Sequence, residues 1–202
     1  DNLRMSKAVL FVDGENFLHK IKEVLGEKNK SVDLAEIDLS GLIKNPLKGL
    51  RISRKTFYSS RLHKYEGTPR KSKELILFQR RLKTNLEKQG FEFILAGNVR
   101  AQEVVIDGKS KVIFKEKGVD VRIAVEMVSL SCDKAVETAI LCSSDSDLQP
   151  AVSELRKRDV EVVYLGFEIN PNKGLTFTTN RTILFRNPEV IKACPQKTSK
   201  KK

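Results

Sequence analysis

The fold is decided by Leu141-Cys142-Ser143-Ser144-Asp145-Ser146-Asp147-Leu148, where an apolar run gives way to a polar turn. The run begins at Ala135, and after the turn apolar residues return at helical spacing as far as Leu155. This order predicts a strand, a loop and a helix. Ligands of open parallel sheets bind beyond the carboxyl ends of the strands, so the turn is a candidate site. The alternative is that its Ser and Asp residues only cap the helix.

Strand and helix patterns alternate along the chain. Residues 8–12 form a continuous apolar run, which is typical of a parallel strand covered on both faces. Residues 103–115 contain Asp107-Gly108, the signature of a β-hairpin turn. The alternation predicts an α/β fold with helices on both faces of a mostly parallel sheet, and the hairpin is expected at its edge. We expect one domain over residues 1–187 and a basic, disordered tail over residues 188–202.

The chain of 202 residues carries a formal net charge of +12, and the positive charge is concentrated in one segment. Between residues 48 and 88, thirteen Lys or Arg residues accompany only three acids. This imbalance predicts contact with a polyanion, although such a segment can also be a solvated face. Tyr65 is a candidate for stacking on a base. The basic residues expected to contact nucleic acid lie in or beside the same loop, and they are Arg61, Lys64, Arg70, Lys71 and Lys73.

Four Asp residues are predicted to meet at one edge of the sheet. Asp13 ends the first strand, while Asp145 and Asp147 follow the strand after the hairpin. The carboxyl ends of parallel strands face the same way, so these three share an edge, and Asp120 joins them if its helix begins there. Like charges about 4 Å apart repel by about 4 kcal/mol at an effective dielectric constant of about 20, which favours a bound cation. Oxygen ligands, in a chain with only two His, indicate Mg²⁺ or Mn²⁺ rather than zinc.

An acidic pocket in a basic chain indicates a metal-dependent nuclease, in which basic residues hold phosphates and carboxylates hold the ions. Lys117, three residues before Asp120, is therefore added to the residues expected to bind nucleic acid. The alternatives are structural, since Asp13 can belong to a plain turn, and Asp120 and Asp147 can be cap or first-turn residues of helices. A phosphatase site is disfavoured, because it needs Asp-x-Asp after the first strand and Glu15 takes the second place.

Three stretches resemble the signature motifs of the NYN-domain family of PIN-like proteins. They are Val12-Asp13-Gly14-Glu15-Asn16, Lys117-Gly118-Val119-Asp120-Val121 and Ser143-Ser144-Asp145-Ser146-Asp147-Leu148, and their order and spacing match over about residues 7–187. The resemblance implies a PIN-like three-layer α/β/α fold with strand order 3-2-1-4-5. It also implies Mg²⁺- or Mn²⁺-dependent ribonuclease activity, on single-stranded or structured RNA, in the members that are active. The alternative is a catalytically inactive RNA-binding module of the same fold.

The resemblance also implies roles for individual residues. Ser143 or Ser144 is implied to contact a ligand or a carboxylate, and Glu126, where family members often have Asp, is a further candidate for a supporting role. Near the end of the matched region, where family members often have another Asp, this chain has Asn180-Arg181. The implied catalytic residues are Asp13, Asn16, Asp120, Asp145 and Asp147, and the four Asp residues among them are the implied metal ligands.

The remaining sequence features concern the compartment. No apolar run reaches the length of a membrane span, and residues 1–7 lead into the first strand without the pattern of a signal peptide. Cys132, Cys142 and Cys194 are odd in number and lack metal-ligand spacing, which indicates a reducing environment. We therefore expect a cytoplasmic protein.

Overall fold

Seven strands form one sheet in the part of the chain that the computed structural model describes, which is residues 7–106 and 109–197. The strands are β1 Ala8–Asp13, β2 Ile52–Arg61, β3 Glu92–Ile106, β4 Lys109–Lys117, β5 Thr138–Cys142, β6 Glu161–Phe167 and β7 Arg181–Phe185. The helices are α1 Gly14–Leu25, α2 Leu39–Lys44, α3 Pro69–Lys88, α4 Val119–Cys132, α5 Gln149–Arg156, α6 Lys173–Thr178 and α7 Asn187–Ala193. Short 3-10 turns cover Gly26–Ser31, Leu34–Glu36 and Ser146–Leu148.

The strands lie in the order β4-β3-β2-β1-β5-β6-β7. Neighbouring strands are parallel except β3 and β4, which are antiparallel. The predicted order did not count the inserted hairpin, whose second strand is β4. The strands predicted as fourth and fifth are therefore β5 and β6. The predicted order 3-2-1-4-5 and the α/β class are therefore confirmed, and β7 extends the sheet beyond β6.

The hairpin continues the sheet rather than standing apart from it. The first part of β3 pairs with β2 at residues 92–95 and 98, and residues 98–106 pair with β4, so Asn98 pairs on both sides. Gly97 lies at the junction with a φ of 67°, and an added Cβ there would clash with the carbonyl oxygen of Lys117. This close approach fixes the end of β4 against β3, at the point where the chain enters α4. The predicted Asp107-Gly108 turn lies outside the described residues.

The central strands are covered on both faces, which explains their unbroken apolar runs. All six residues of β1 are buried. Leu10 and Val12 pack in a cluster with residues of α1, α2 and α7, whereas Val9 and Phe11 pack in a second cluster with residues of α4 and α5. The two clusters are the two hydrophobic layers between sheet and helices. The three-layer arrangement therefore follows from strands that are apolar on both faces.

The segment that was expected to be a basic tail begins instead with a packed helix. Val190 of α7 is fully buried, and Cys194 just after the helix is also buried. Beyond α7, Val32 and Gln196 form an isolated antiparallel bridge. The boundary predicted at residue 187 is therefore wrong for residues 188–197, because a short apolar stripe there completes the layer over α1 and α2. The remainder of the predicted tail, residues 198–202, lies outside the described residues.

Two of the sequence expectations concern the environment of the chain. Among the described helices, none combines the length and apolar character that crossing a bilayer requires. All three cysteines are free thiols, with Cys142 and Cys194 buried and Cys132 exposed.

Candidate metal centre

The predicted acids reach one edge of the sheet from three separate elements. Asp13 is the last residue of β1, and Asp145 follows the end of the neighbouring parallel strand β5 by three residues. Asp120 lies in the first turn of α4, which begins after Gly118 with a φ of 90°. Asp147 lies in the 3-10 turn between β5 and α5. The helix that carries Asp120 therefore does begin at the edge where β1 and β5 end.

Three of these acids form a compact cluster. Carboxylate oxygens of Asp120, Asp145 and Asp147 all lie within 4.8 Å of one another, with the first two half-buried and Asp147 exposed. An octahedral Mg²⁺ ion with ligands at about 2.1 Å places opposite ligand oxygens about 4.2 Å apart. The observed limit of 4.8 Å between the three oxygens is close to this separation. The donor set contains only oxygen and carries three negative charges, so it fits Mg²⁺ or Mn²⁺.

Asp13 lies beneath this cluster and is not one of the three grouped acids. Asp13 is only 3% exposed, and both of its carboxylate oxygens accept hydrogen bonds. Oδ1 accepts from the backbone N–H of Asn16 (3.2 Å), and Oδ2 accepts from Asn16 Nδ2 (2.8 Å) and Ser143 Oγ (2.9 Å). Burial raises the pKa of Asp13, the charge of Asp145 adds to this, and the hydrogen bonds from Asn16 and Ser143 oppose it. Asn16, one of the implied catalytic residues, thus holds the Asp13 carboxylate through both its backbone and its side chain.

Ser143 connects Asp13 to the loop that carries the other acids. Its Oγ donates to Asp13 and accepts from the backbone N–H of Asp145 (3.1 Å). Oδ1 of Asp145 then accepts from the backbone N–H of Asp147 (2.9 Å), so Asp145 caps the 3-10 turn. The cap interpretation and the site interpretation of this stretch therefore both hold, since one Asp145 oxygen caps the turn while the side chain belongs to the acidic cluster.

A surface cavity of about 550 Å³ surrounds the cluster. Asp13, Asn16 and the three clustered acids line it together with Lys117, which was predicted, and with Phe114 and Lys115, which were not. Both lysines are exposed, and their side chains lie on one face of β4. Residues two apart in a strand point to the same face, so Lys115 could have been predicted to lie beside Lys117. The edge of the sheet thus combines clustered carboxylates with cations that can hold a phosphate.

The sequence matches a family model of the NYN domain over residues 7–183, most of the chain. The chain belongs to the NYN domain family. Members of the family have a PIN-like nuclease fold, are generally nucleases that act on nucleic acids, and usually use divalent metal ions. No curated protein matches the chain at a significant level. The family expected from the three motifs is therefore confirmed.

Glu126 of this NYN domain lies away from the acidic cluster, contrary to the predicted supporting role. Its carboxylate forms ion pairs with Arg54 Nη1 (2.8 Å) and with Arg122 Nε (3.4 Å). Arg54 is near the start of β2, opposite the edge where the acids meet. The side chain of Glu126 is only 11% exposed, so these pairs hold α4 against the sheet. The six-residue spacing from Asp120 places Glu126 on a different side of the helix.

Ser144 also faces away from the acids. Its carbonyl oxygen accepts from Asn172 Nδ2 (2.8 Å), and its side chain lies beside the hydroxyl group of Tyr164. The same hydroxyl oxygen accepts from the backbone N–H of Asn172 (3.0 Å). Ser144 therefore ties the site loop to β6 and the start of α6, and of the two predicted serines only Ser143 contacts an acid.

The basic residues predicted to bind nucleic acid are exposed, and one of them contacts the wall of the metal cavity. The ammonium group of Lys71 lies 5.1 Å from the centre of the Phe114 ring, and Tyr65 packs edge-on against the same ring (6.3 Å). Phe114 lines the acidic cavity, so it joins the basic loop to the acidic cluster. Arg70 forms an exposed ion pair with Glu74. The other predicted residues of this set, Arg61, Lys64 and Lys73, are also exposed.

Proposed function

We propose that this NYN domain is a ribonuclease that hydrolyses phosphodiester bonds with Mg²⁺ or Mn²⁺. The observation that carries the proposal is the cluster of Asp120, Asp145 and Asp147 in one cavity with Lys115 and Lys117. A structural role alone does not explain three carboxylates whose oxygens lie within 4.8 Å, because their repulsion destabilises the fold. Cations for the substrate phosphates and anions for the metal are both needed in phosphodiester hydrolysis.

Each side chain has a distinct task in this proposal. Asp120, Asp145 and Asp147 would hold the ion, which when bound would supply Lewis-acid chemistry, activating a water and stabilising charge on the departing oxygen. Asp13 does not need direct contact with the ion, since its hydrogen bonds with Ser143 and Asn16 fix the loop that carries Asp145.

Two lysines complete the proposed centre. Lys115 and Lys117 attract and orient the scissile phosphate as exposed point charges. Because the lysines and the clustered acids line the same cavity, a phosphate bound in it is in reach of both kinds of charge. The positively charged segment of residues 48–88, which includes α3, provides further contacts for the rest of the RNA chain.

The test is cleavage of a labelled single-stranded RNA with Mn²⁺ by the wild type and by Asp120→Asn and Asp145→Asn. Each substitution is expected to reduce the rate by at least about 100-fold, because one oxygen ligand of the ion loses its charge. Glu126→Gln is the matched control, since it makes the same chemical change on the helix of Asp120 but outside the cavity, and it should keep wild-type activity. Equal activity in all four proteins would identify a contaminant and contradict the proposal.

The second candidate function is that of a catalytically inactive RNA-binding module, and one observation favours it. Both oxygens of Asp13 are engaged by Asn16 and Ser143, so the cluster offers three acids where four were expected. Such a module would bind RNA with an affinity that falls steeply with salt, and no divalent ion would produce cleavage. Binding without turnover in Mg²⁺ and in Mn²⁺ would favour this function.

A further inference from the structure

A second cavity lies directly beside the acidic one. It is a groove of about 250 Å³ between α1 and α3, at the same edge of the sheet. Glu15 and Phe114 line both cavities, so they form the ridge between the groove and the acidic cluster. The groove is therefore directly next to any extended nucleic-acid strand that has a phosphate at the acidic cluster.

We propose that this groove, which we call the base groove, binds one nucleobase of the RNA strand whose phosphate lies at the acidic cluster. The inference rests on the proposed function, because it takes the position of the phosphate from it. It adds a specificity site that the acidic cluster does not contain.

The walls of the base groove suit a flat, mostly apolar ring. Leu18 of α1 faces Leu75 and Phe78 of α3, and all three are half-buried. Phe114 adds a second aromatic ring at the ridge. Proteins that bind single-stranded RNA hold unstacked bases against aromatic and apolar side chains of this kind. A volume of about 250 Å³ is slightly below the roughly 300–1,000 Å³ usual for drug-sized ligands, so the groove admits one base rather than several.

Gln79 supplies a directed polar group on the α3 wall. Its Nε2 donates to Ser59 Oγ (2.9 Å) and to the carbonyl oxygen of Ser60 (2.8 Å). Since a carbonyl oxygen only accepts, this arrangement fixes the orientation of the amide, and Oε1 is the atom left to accept from a ligand. All four RNA bases carry at least one N–H donor, so the groove can hold any base while its shape sets the preference.

The charges around the groove favour a base over a phosphate. The carboxylate of Glu15 stands at the ridge and repels phosphate, whereas Lys22 offers one exposed cation on the α1 side. These two charges balance, in contrast to the positive segment around α3. A neutral ring therefore enters the groove more readily than a phosphate, while the lysines of the hairpin attract the phosphate on the other side of the ridge.

The test uses the full chain with leucine methyl groups labelled for NMR. The probe is an RNA of four uridine nucleotides. The methyl signals of Leu18 and Leu75 are expected to shift on titration, because a bound base adds a ring current close to them. Leu155 lies in the hydrophobic layer on the other face of the sheet and is the internal control. Spectra are recorded in Mg²⁺ and in EDTA. No shift of Leu18 and Leu75 in either solution would overturn the proposal, whether or not the RNA binds elsewhere.

A second probe separates the base from the backbone. An otherwise identical oligonucleotide that lacks its bases should leave Leu18 and Leu75 unmoved, and equal shifts with both probes would refute occupancy by a base. His19 lies exposed at the rim of the groove, so His19→Trp should cover it and weaken binding by about 5- to 150-fold, the range for one base stacked on an aromatic ring. Ser153→Trp, at an exposed and uncharged position of α5, is the matched control.

The two proposals fail in different ways. Loss of the proposed function appears as absent cleavage, or as cleavage that persists in the Asp variants, whereas loss of the base groove appears as unmoved methyl signals. Methyl shifts without cleavage would support the base groove on a non-catalytic RNA-binding domain. Cleavage by the wild type alone, with Leu18 and Leu75 unmoved, would refute the groove and leave the nuclease proposal standing.

Discussion

Asp120→Asn is the perturbation that examines the acidic cluster most directly. In the metal-free protein the substitution removes the repulsion of Asp120 by Asp145 and by Asp147, whose oxygens lie within 4.8 Å of its own. In the presence of Mn²⁺ the same substitution removes a charged ligand. The cluster therefore predicts opposite effects on the metal-free and metal-loaded proteins, which a purely structural role of Asp120 does not.

The magnitude follows from the distance and the exposure of the three acids. Two charges 4.8 Å apart repel by ~1 kcal/mol in water and ~3.5 kcal/mol at an effective dielectric constant of about 20. Because Asp147 is exposed and the other two are half-buried, we take the value near that of water, about 2 kcal/mol for two pairs. Asp120 also interacts favourably with the N-terminus of α4, which offsets roughly 0.3–1 kcal/mol. The net gain is about 1–1.5 kcal/mol, or a Tm increase of about 2–6 °C.

Thermal unfolding in EDTA and in Mn²⁺ measures both effects. Mn²⁺ at about 100 times its Kd should stabilise the wild type by about 2.7 kcal/mol, or about 5–10 °C, and Asp120→Asn should lose most of this increase. Glu15→Gln is the matched control, since Glu15 is also a first-turn acid that lines the cavity but lies outside the cluster. A lower Tm for Asp120→Asn in EDTA, together with an unchanged response to Mn²⁺, would refute the reasoning.

Three further predictions concern the surroundings of the cluster. Glu126→Gln should lower the free energy of unfolding by about 1–2 kcal/mol, because its ion pair with Arg54 is mostly buried, and this is measured by urea denaturation. Lys115→Ala and Lys117→Ala should each reduce the slope of log affinity against log salt by about 0.7 for single-stranded RNA, measured by fluorescence anisotropy. Gly97→Ala should destabilise the fold by about 2–3 kcal/mol in the same urea assay, because the residue has a φ of 67° and its new Cβ meets a backbone carbonyl.

Each of these predictions has its own contrary outcome. A loss of RNA cleavage without a loss of stability in Glu126→Gln would return that residue to the site. An unchanged salt slope in both lysine variants would show that β4 does not contact phosphate. Gly49→Ala is the control for Gly97→Ala, since it has a φ of 90° but open space around its Cβ, and equal destabilisation of the two would remove the argument for a tight hairpin junction.

The sequence by itself determined the family, through its three motifs, and the edge at which Asp13 and Asp145 meet, whereas the strand order was implied by the family resemblance. Apolar runs that end in Asp13 and in the turn before Asp145 mark two strand ends, and parallel strands bring such ends to one edge whatever the details of packing. The sequence left open whether the helix that carries Asp120 begins at this edge, and the structure shows that α4 does begin there, directly after Gly118. The strand ends and their common edge depend on local patterns and on the geometry of a parallel sheet, so they can be predicted without coordinates.

Only the tertiary structure decided which side chains touch. It grouped Asp120 with Asp145 and Asp147, and it placed Asp13 below them, where burial and the hydrogen bond from Ser143 hold its carboxylate. It also paired Glu126 of α4 with Arg54 of β2 and packed α7 onto the domain. Such contacts join residues that are distant in the chain, and their distances depend on how helices seat on the sheet. A pattern of residue types fixes the edge of the sheet but not the ångström-scale distances that separate a metal ligand from the residue that supports it.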